Sequence, residues 1–272
     1  MPNFICTTCG TQYPETAQPP SACDICNDER QFVRVTGQQW TTHDKLRLTN
    51  RNSIRFEQPD LFGIGVEPQF AIGQRALLVR TPSGNVLWDC VPLLDPALVE
   101  MIQGLGGISA IAISHPHFYT SMIQWSRAFE NAPIYLHAAN QQWVMRPDDA
   151  IVYWDGDTQQ LSDGLTLIHC GGHFAGSTVL HWQQGARGRG ALLTGDTIHV
   201  VADRKHVGFM YSYPNFIPLS PASVDRIVQA VAPFDFDCIY GVFWDSVIEQ
   251  GGKAAVVRSA ERHRQAIQDE TR

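Results

Sequence analysis

The sequence has no apolar run approaching the roughly 18 residues that mark a membrane-spanning helix, and it has no basic stripe. Lys and Arg number 20 against 27 Asp and Glu, a formal net charge of −7. The first shortage argues against a membrane protein, and the second removes the electrostatic footprint of a dedicated nucleic-acid binder. The opening residues Met1-Pro2-Asn3-Phe4-Ile5-Cys6 lack a basic segment followed by an apolar one. No secretory signal is therefore expected, and the expected compartment is the cytoplasm. Internal repeats and low-complexity tracts are missing too, which sets aside solenoids and fibrous arrays. Charged residues are sparse at 17%, while hydrophobic residues reach 44% of the 272 residues. That balance allows a substantial core and argues against disorder.

Cysteine is present but unevenly spread. Four of the seven, Cys6, Cys9, Cys23 and Cys26, fall within the first 26 residues; Cys90, Cys170 and Cys238 stand alone. An odd count with a tight cluster fits metal binding in a reducing compartment better than a disulfide framework. Cys6-Thr7-Thr8-Cys9-Gly10 and Cys23-Asp24-Ile25-Cys26 are two C-x2-C knuckles. Two such knuckles can place four thiolates around one tetrahedral zinc ion, and Gly10 permits the tight turn after the first. The plain alternative is free or disulfide-bonded cysteine. A third is an iron site, since Cys9-Gly10 and Tyr13 resemble rubredoxin, although the spacer is short for it. A closed four-thiolate shell has no open position for chemistry, so the role is structural. The segment is too small to fold on apolar burial alone, and the metal would supply folding energy.

Residues 1–35 are thus expected as a zinc ribbon, 36–60 as a polar connector anchored by Trp40, and 61–272 as the main domain. The composition change near residue 36 implies that ribbon and main domain hold their metals independently. In the main domain, strands are expected at 74–80, 85–89, 108–113, 133–136, 165–170, 178–182, 191–194 and 237–240. Helices are expected at 95–104, with Asp95 as N-cap and Pro96 in the first turn, at 120–129, from Ser220 or Ser223 to 230, and at 253–268. Arg187-Gly188-Arg189 reads as a hairpin tip. Strands and helices alternate as in layered α/β architecture.

The chemistry concentrates on loops that follow buried strands. Ser114-His115-Pro116-His117-Phe118-Tyr119-Thr120 comes after the run 108–113. Alone, H-x-H is a weak signal whose bland reading is two loop histidines in water. Gly171-Gly172-His173-Phe174-Ala175-Gly176-Ser177 adds a glycine-flanked histidine, and Thr194-Gly195-Asp196-Thr197 adds a carboxylate. Three imidazoles and one carboxylate make a donor set that suits zinc.

In this order, the motifs H-x-H, G-G-H-x-x-G-S and T-G-D resemble the metallo-β-lactamase superfamily over residues 61–245. The resemblance implies a four-layer αββα sandwich with a metal at the sheet edges. It implies His115, His117 and His173 as ligands of the first metal, with Asp196 between the two metal positions and Asp89 as the early structural aspartate. The departures are as informative. The family pattern is H-x-H-x-D-H, and here Tyr119 and Thr120 stand at the last two positions. The family's final histidine should follow the strand at 237–240, where the sequence reads Gly241-Val242-Phe243-Trp244-Asp245. The ligands peculiar to a second metal are therefore missing, and one ion is expected in this site. Asp245 is the only carboxylate nearby. Tyr119 reads either as a packed aromatic or as a catalytic phenol facing the metal.

Other polar residues have a plainer reading. His137, His169, His181, His199 and His206 are each a satisfied surface or core histidine unless one replaces a lost ligand or binds substrate. Cys170 is a buried small side chain unless it approaches the metal. Arg204 to Tyr213 offers a pocket wall or a homodimer surface, or is a loop packed on the body. The reading as a whole is a zinc-dependent hydrolase of a small ester, thioester or amide, with Asp196 and Tyr119 as catalytic residues. The alternative is a non-catalytic binding protein that keeps one structural metal. Electron transfer through iron in the ribbon is a third.

Overall fold

The short apolar runs become strands in the computed structural model, which describes residues 1–268. The chain divides into two compact units, Met1–Leu136 with Asn140–Tyr153, and His137–Ala139 with the chain from Trp154 onward.

In the first unit, β1 (Asn3–Cys6), β2 (Gln12–Glu15) and β3 (Trp40–Thr41) form a small sheet of order β2-β1-β3, with α1 (Asp24–Asn27) between β2 and β3 in the chain. After α2 (His43–Thr49) come β4 (Arg51–Gln58), β5 (Leu61–Glu67), β6 (Ala76–Val79) and β7 (Val86–Trp88). They continue through α3 (Pro96–Gly104), β8 (Ala110–Ala112), α4 (Met122–Ala128), β9 (Ile134–His137) and β10 (Ile151–Trp154). These strands make a seven-stranded sheet of order β10-β9-β8-β7-β6-β5-β4. β6 and β7 are buried along their whole length, as interior strands covered on both faces should be. The pairs β7–β8 and β8–β9 are parallel. Parallel neighbours need a crossover, and α3 and α4 supply the two. This topology leaves the carboxyl ends of β7 and β8 at one edge of the sheet, a common place for sites in α/β folds.

In the second unit, β11 (Thr158–Ser162), β12 (Leu165–His169), β13 (Thr178–Trp182) and β14 (Ala191–Gly195) pair antiparallel in succession. The one-turn segment α5 (Gly185–Gly188) joins β13 to β14 near the expected hairpin tip, with Ala186 and Arg187 in left-handed conformations. Two small pairs follow, β15 (His199–Val200) with β16 (Val207–Gly208), and β17 (Met210–Ser212) with β18 (Ile217–Pro218). α6 (Pro221–Val231), capped by Ser220, then crosses over so that β19 (Cys238–Gly241) pairs parallel with β14. β20 (Val247–Ile248) and α7 (Gly252–Gln268) complete the unit, and the sheet order is β11-β12-β13-β14-β19-β20. Ile168, Val179, Leu192 and Ile239 of the sheet share one core with Val224 and Ile227 of α6 and Ala255 and Val256 of α7. Each unit thus contributes one large sheet and its helices, the mixed α/β layers that the αββα reading requires.

One stretch differs from its expected character. Residues 36–60, read as an unpatterned connector, hold β3, α2 and β4. β4 pairs with β5 from Arg51↔Glu67 to Gln58↔Leu61. It is an edge strand with only intermediate or exposed positions. It therefore lacks the strict apolar alternation by which a half-buried strand is recognised. Among the described residues, no helix is long and apolar enough to cross a membrane.

Candidate metal centres

The four ribbon cysteines converge. Cys6 ends β1, Cys9 sits in the turn that Gly10 closes, Cys23 caps α1 and Cys26 lies within it. All are buried and free. Cys6 Sγ to Cys26 Sγ and Cys9 Sγ to Cys23 Sγ are both 3.6 Å. That is far beyond a disulfide bond of about 2.05 Å. It is close to the edge of roughly 3.8 Å that a tetrahedron with metal–sulfur bonds of about 2.3 Å requires. The four thiols therefore fit one ion, and the cluster is one of two groups among the described residues able to hold a metal. Burial pushes the Cys9 thiol well above its ordinary range, whereas the neighbouring sulfurs, Cys23 first, hold Cys6 below its own. A divalent cation would remove the penalty for ionising all four. Tyr13 packs edge-on against Trp40, and its hydroxyl accepts the Asp24 amide at 2.9 Å.

The histidine loop of the first unit is built from the ends of β7 and β8. Asp89, in a left-handed conformation at φ 61°, takes the backbone N–H and the hydroxyl of Ser114 on one oxygen, both at 2.8 Å. These bonds tie the end of β7 to the residue before His115. His115 then caps a single 3-10 turn, Pro116–Phe118, and its Nδ1 accepts the His117 amide at 3.3 Å. Both rings are buried and stand edge to face, 5.2 Å apart. Tyr119 is buried, and its hydroxyl is hydrogen-bonded to the Asn140 side chain; burial drives its pKa above the ordinary phenol value. A phenolate ligand is disfavoured there. Thr120 takes a left-handed φ of 31°, and its buried hydroxyl has no hydrogen-bond partner among the described residues.

In the second unit, the Gly-Gly-His loop folds onto itself. Cys170 and Gly171 both donate to the Ser177 carbonyl, and Phe174 N–H donates to the Ser177 hydroxyl at 2.8 Å. Gly172 sits at φ 84°, a left-handed conformation that favours glycine, and a Cβ there would lie 2.9 Å from the Leu219 Cδ1 methyl, which would have to shift. His173 is buried, with Nδ1 3.1 Å from the Met210 carbonyl. A carbonyl only accepts, so the proton lies on Nδ1 and Nε2 keeps its lone pair for a metal. Asp196 follows β14, and its Oδ1 lies 4.0 Å from His173 Nε2. This is too long for a hydrogen bond and within the reach of two ligands that each stand about 2.0–2.2 Å from one ion. Tyr213 O–H donates to the Asp196 carbonyl at 2.6 Å, and burial holds that phenol well above its ordinary pKa, hence protonated.

The remaining candidates have other partners. His181 bonds the Asp235 carbonyl at 2.8 Å, His169 the Ala175 carbonyl at 2.8 Å, and His206 the Asp203 carboxylate at 2.7 Å. His137 stacks on His169 at 3.8 Å. His199 packs beside Tyr213 and Phe243, and burial, opposed by the charge of Asp196, lowers its pKa. Asp245 is exposed, and Cys170 is buried with its pKa pushed to about 12 by desolvation. Among the described residues, none of these joins a metal-binding group. The sequence reading missed the groups behind the ligands: Asn140, the Met210 carbonyl and the Tyr213 hydroxyl. Met210 and Tyr213 had a signal only as members of the stretch Arg204 to Tyr213 after Asp196, and Asn140 had none.

No family model matches the chain. It is 46% identical over 272 residues to a Bacillus subtilis (strain 168) protein described as uncharacterized protein YmaE, a match spanning 99% of this chain and 98% of that one. The chain belongs to the YmaE family. In three dimensions this YmaE-family chain has the metallo-β-lactamase fold. It is similar to VMB-1, with a TM-score of 0.60 and 14% identity over 80% of this chain and 98% of that one. The DIM-1 metallo-β-lactamase gives 0.60 and 13% over 79% and 98%. A metallo-β-lactamase of Cronobacter sakazakii (Enterobacter sakazakii) gives 0.53 and 17% over 80% and 93%.

Proposed function

We propose that the chain is a metal-dependent hydrolase in which His115, His117 and His173 hold one zinc ion with Asp196 at its side, and that a second, structural zinc fills the cysteine ribbon. One observation carries the reading: each of the four residues offers one ligand atom, and these atoms lie within 4.8 Å of one another, all buried. The fold supports it, since solved structures of the same fold are metallo-β-lactamases by name. When bound, the ion would supply Lewis acidity and a water that ionises near neutral pH. The chain's own residues would do the rest. Asp196 orients that water or accepts its proton, while Tyr213 and Met210 hold Asp196 and His173 in place. Tyr119, kept protonated by burial, serves as a neutral hydrogen-bonding neighbour and not as a ligand. A carbonyl of an ester, thioester or amide suits a single Lewis-acid centre. Phosphodiester cleavage by two ions would need the second ligand set that Tyr119, Thr120 and Phe243 replace.

The replaced ligands also favour a second reading, a binding protein that retains the metal without turnover. A panel of small esters and thioesters separates the two. The hydrolase reading expects turnover that a chelator abolishes, that zinc restores and that His117→Ala lacks. Turnover by metal-free protein contradicts it, and a zinc-loaded protein inert across the panel supports the binding reading.

A further inference from the structure

The loop carrying His115 and His117 is fastened at four successive points, and two of the fasteners lie before residue 61. Ser114 is held by Asp89. Tyr119 is held by Asn140. The Thr120 carbonyl accepts the backbone N–H of Gln12, in β2, at 3.1 Å. Ser121 donates to the Pro92 carbonyl at 2.8 Å and lies 3.2 Å from His43 Nε2, while His43, in α2, reaches the same carbonyl at 2.7 Å. The ribbon is seated on these neighbours as well. A Cβ on Gly10 would lie 2.5 Å from Pro92 Cγ. The Arg146 guanidinium bonds the Gln12 side chain. The four cysteines pack with Trp143 and Met145, just beyond Asn140 in the chain, and Arg30 stacks over the Trp143 ring at 5.3 Å.

From this geometry we infer that the cysteine ribbon is a positioning element for the histidine loop, acting through the Gln12 amide on Thr120. Thr120 is the point where help is needed. Its φ of 31° is left-handed, a region that costs a β-branched residue strain. A carbonyl fixed from outside keeps it there, and with it the turn that aims His117. The ribbon in turn is too small to hold β2 in place without its metal. Filling the four-thiolate shell therefore preorganises the histidine loop, and emptying it loosens the loop. This replaces the expectation that ribbon and main domain keep their metals independently.

The inference builds on the proposed histidine site, and the test separates the two. Gln12→Pro deletes the N–H that reaches Thr120, and with it the side-chain bond to Arg146, while leaving all four cysteines. Cys23→Ser opens the thiolate shell instead. Val79→Ala, a core truncation at the end of β6 away from Asp89, serves as the control for general destabilisation. On zinc-loaded full-length protein, hydrogen exchange of residues 114–121 and the chelator concentration that extracts the histidine-site zinc are measured. Cobalt substitution reports, through sulfur-to-metal charge-transfer absorption, whether the ribbon is still filled. The expected result for Gln12→Pro is a filled ribbon, faster exchange in 114–121 and extraction at roughly tenfold lower chelator, the low end of what lost outer-shell support costs a site. Cys23→Ser is expected to do the same with an empty ribbon, and Val79→Ala to change neither readout. Unchanged exchange and extraction in both ribbon variants would overturn the inference. A wild type that holds zinc only in the ribbon would overturn the histidine site instead, while the exchange measurement would still decide the brace.

Discussion

His43 shows what a single buried imidazole contributes and where it fails. Its Nε2 faces the Pro92 carbonyl at 2.7 Å, which only accepts, so the proton is on that nitrogen. Burial first of all lowers its pKa from 6.5 to about 4. The unfolded chain takes up a proton near pH 6.5 and the folded chain only near 4. Between these values the unfolded state binds more protons, and stability falls as the pH is lowered through the window. The displacement corresponds to about 3 kcal/mol at roughly 1.4 kcal/mol per pH unit, an upper figure. Urea unfolding at pH 7 and pH 4.5 should show this loss, and His43→Gln should make the difference smaller by a kcal/mol or more. An identical pH dependence in the variant would assign the acid sensitivity elsewhere. At this scale the ligands were legible because metal-binding side chains have few substitutes and fixed spacings. The groups that aim them were not. The Gln12 amide and the Met210 carbonyl are backbone atoms, which every residue carries, so no residue identity announces them.

Among the elements, α3 is the one whose start the residues dictate most directly. Asp95 accepts the Leu98 amide at 2.8 Å as its N-cap, and its other oxygen takes the Asn52 amide of β4 at 2.8 Å. The Asn52 side chain returns the bond to Asp95 N–H at 2.8 Å. Asp95→Ala loses the cap and the carboxylate's bond to the Asn52 amide together, while the backbone N–H at 95 keeps its bond to the Asn52 side chain. A loss of about 1–2 kcal/mol is expected, the upper part of the range for a cap alone, read as a lower urea midpoint at unchanged slope. A change within a few tenths of a kcal/mol would mean that neither bond holds the helix. Helices with caps of this kind, α3 and α6, were legible in the sequence, as was β13, whose five residues are all buried. β4 was not, because an edge strand shows no apolar face. The pairs β15–β16 and β17–β18 were not, because two- and three-residue ladders set no period. Yet β17 supplies the carbonyl that fixes His173, so part of the site was hidden with its element.

Across the whole molecule, the described residues hold two donor groups of different character. One is a shell of four buried thiols with no position left for chemistry. The other has three imidazoles and a carboxylate, and the sequence carries Tyr119, Thr120 and Phe243 where the resemblance would put the ligands of a second ion. Metal content per chain, measured side by side on wild type and His117→Ala, tests this most directly. About two zinc ions are expected in the wild type, one for each group. His117→Ala is expected to lose one and to retain the four-thiolate ion. Three ions in the wild type would contradict the single-ion site, and an undiminished content in His117→Ala would contradict the histidine site itself.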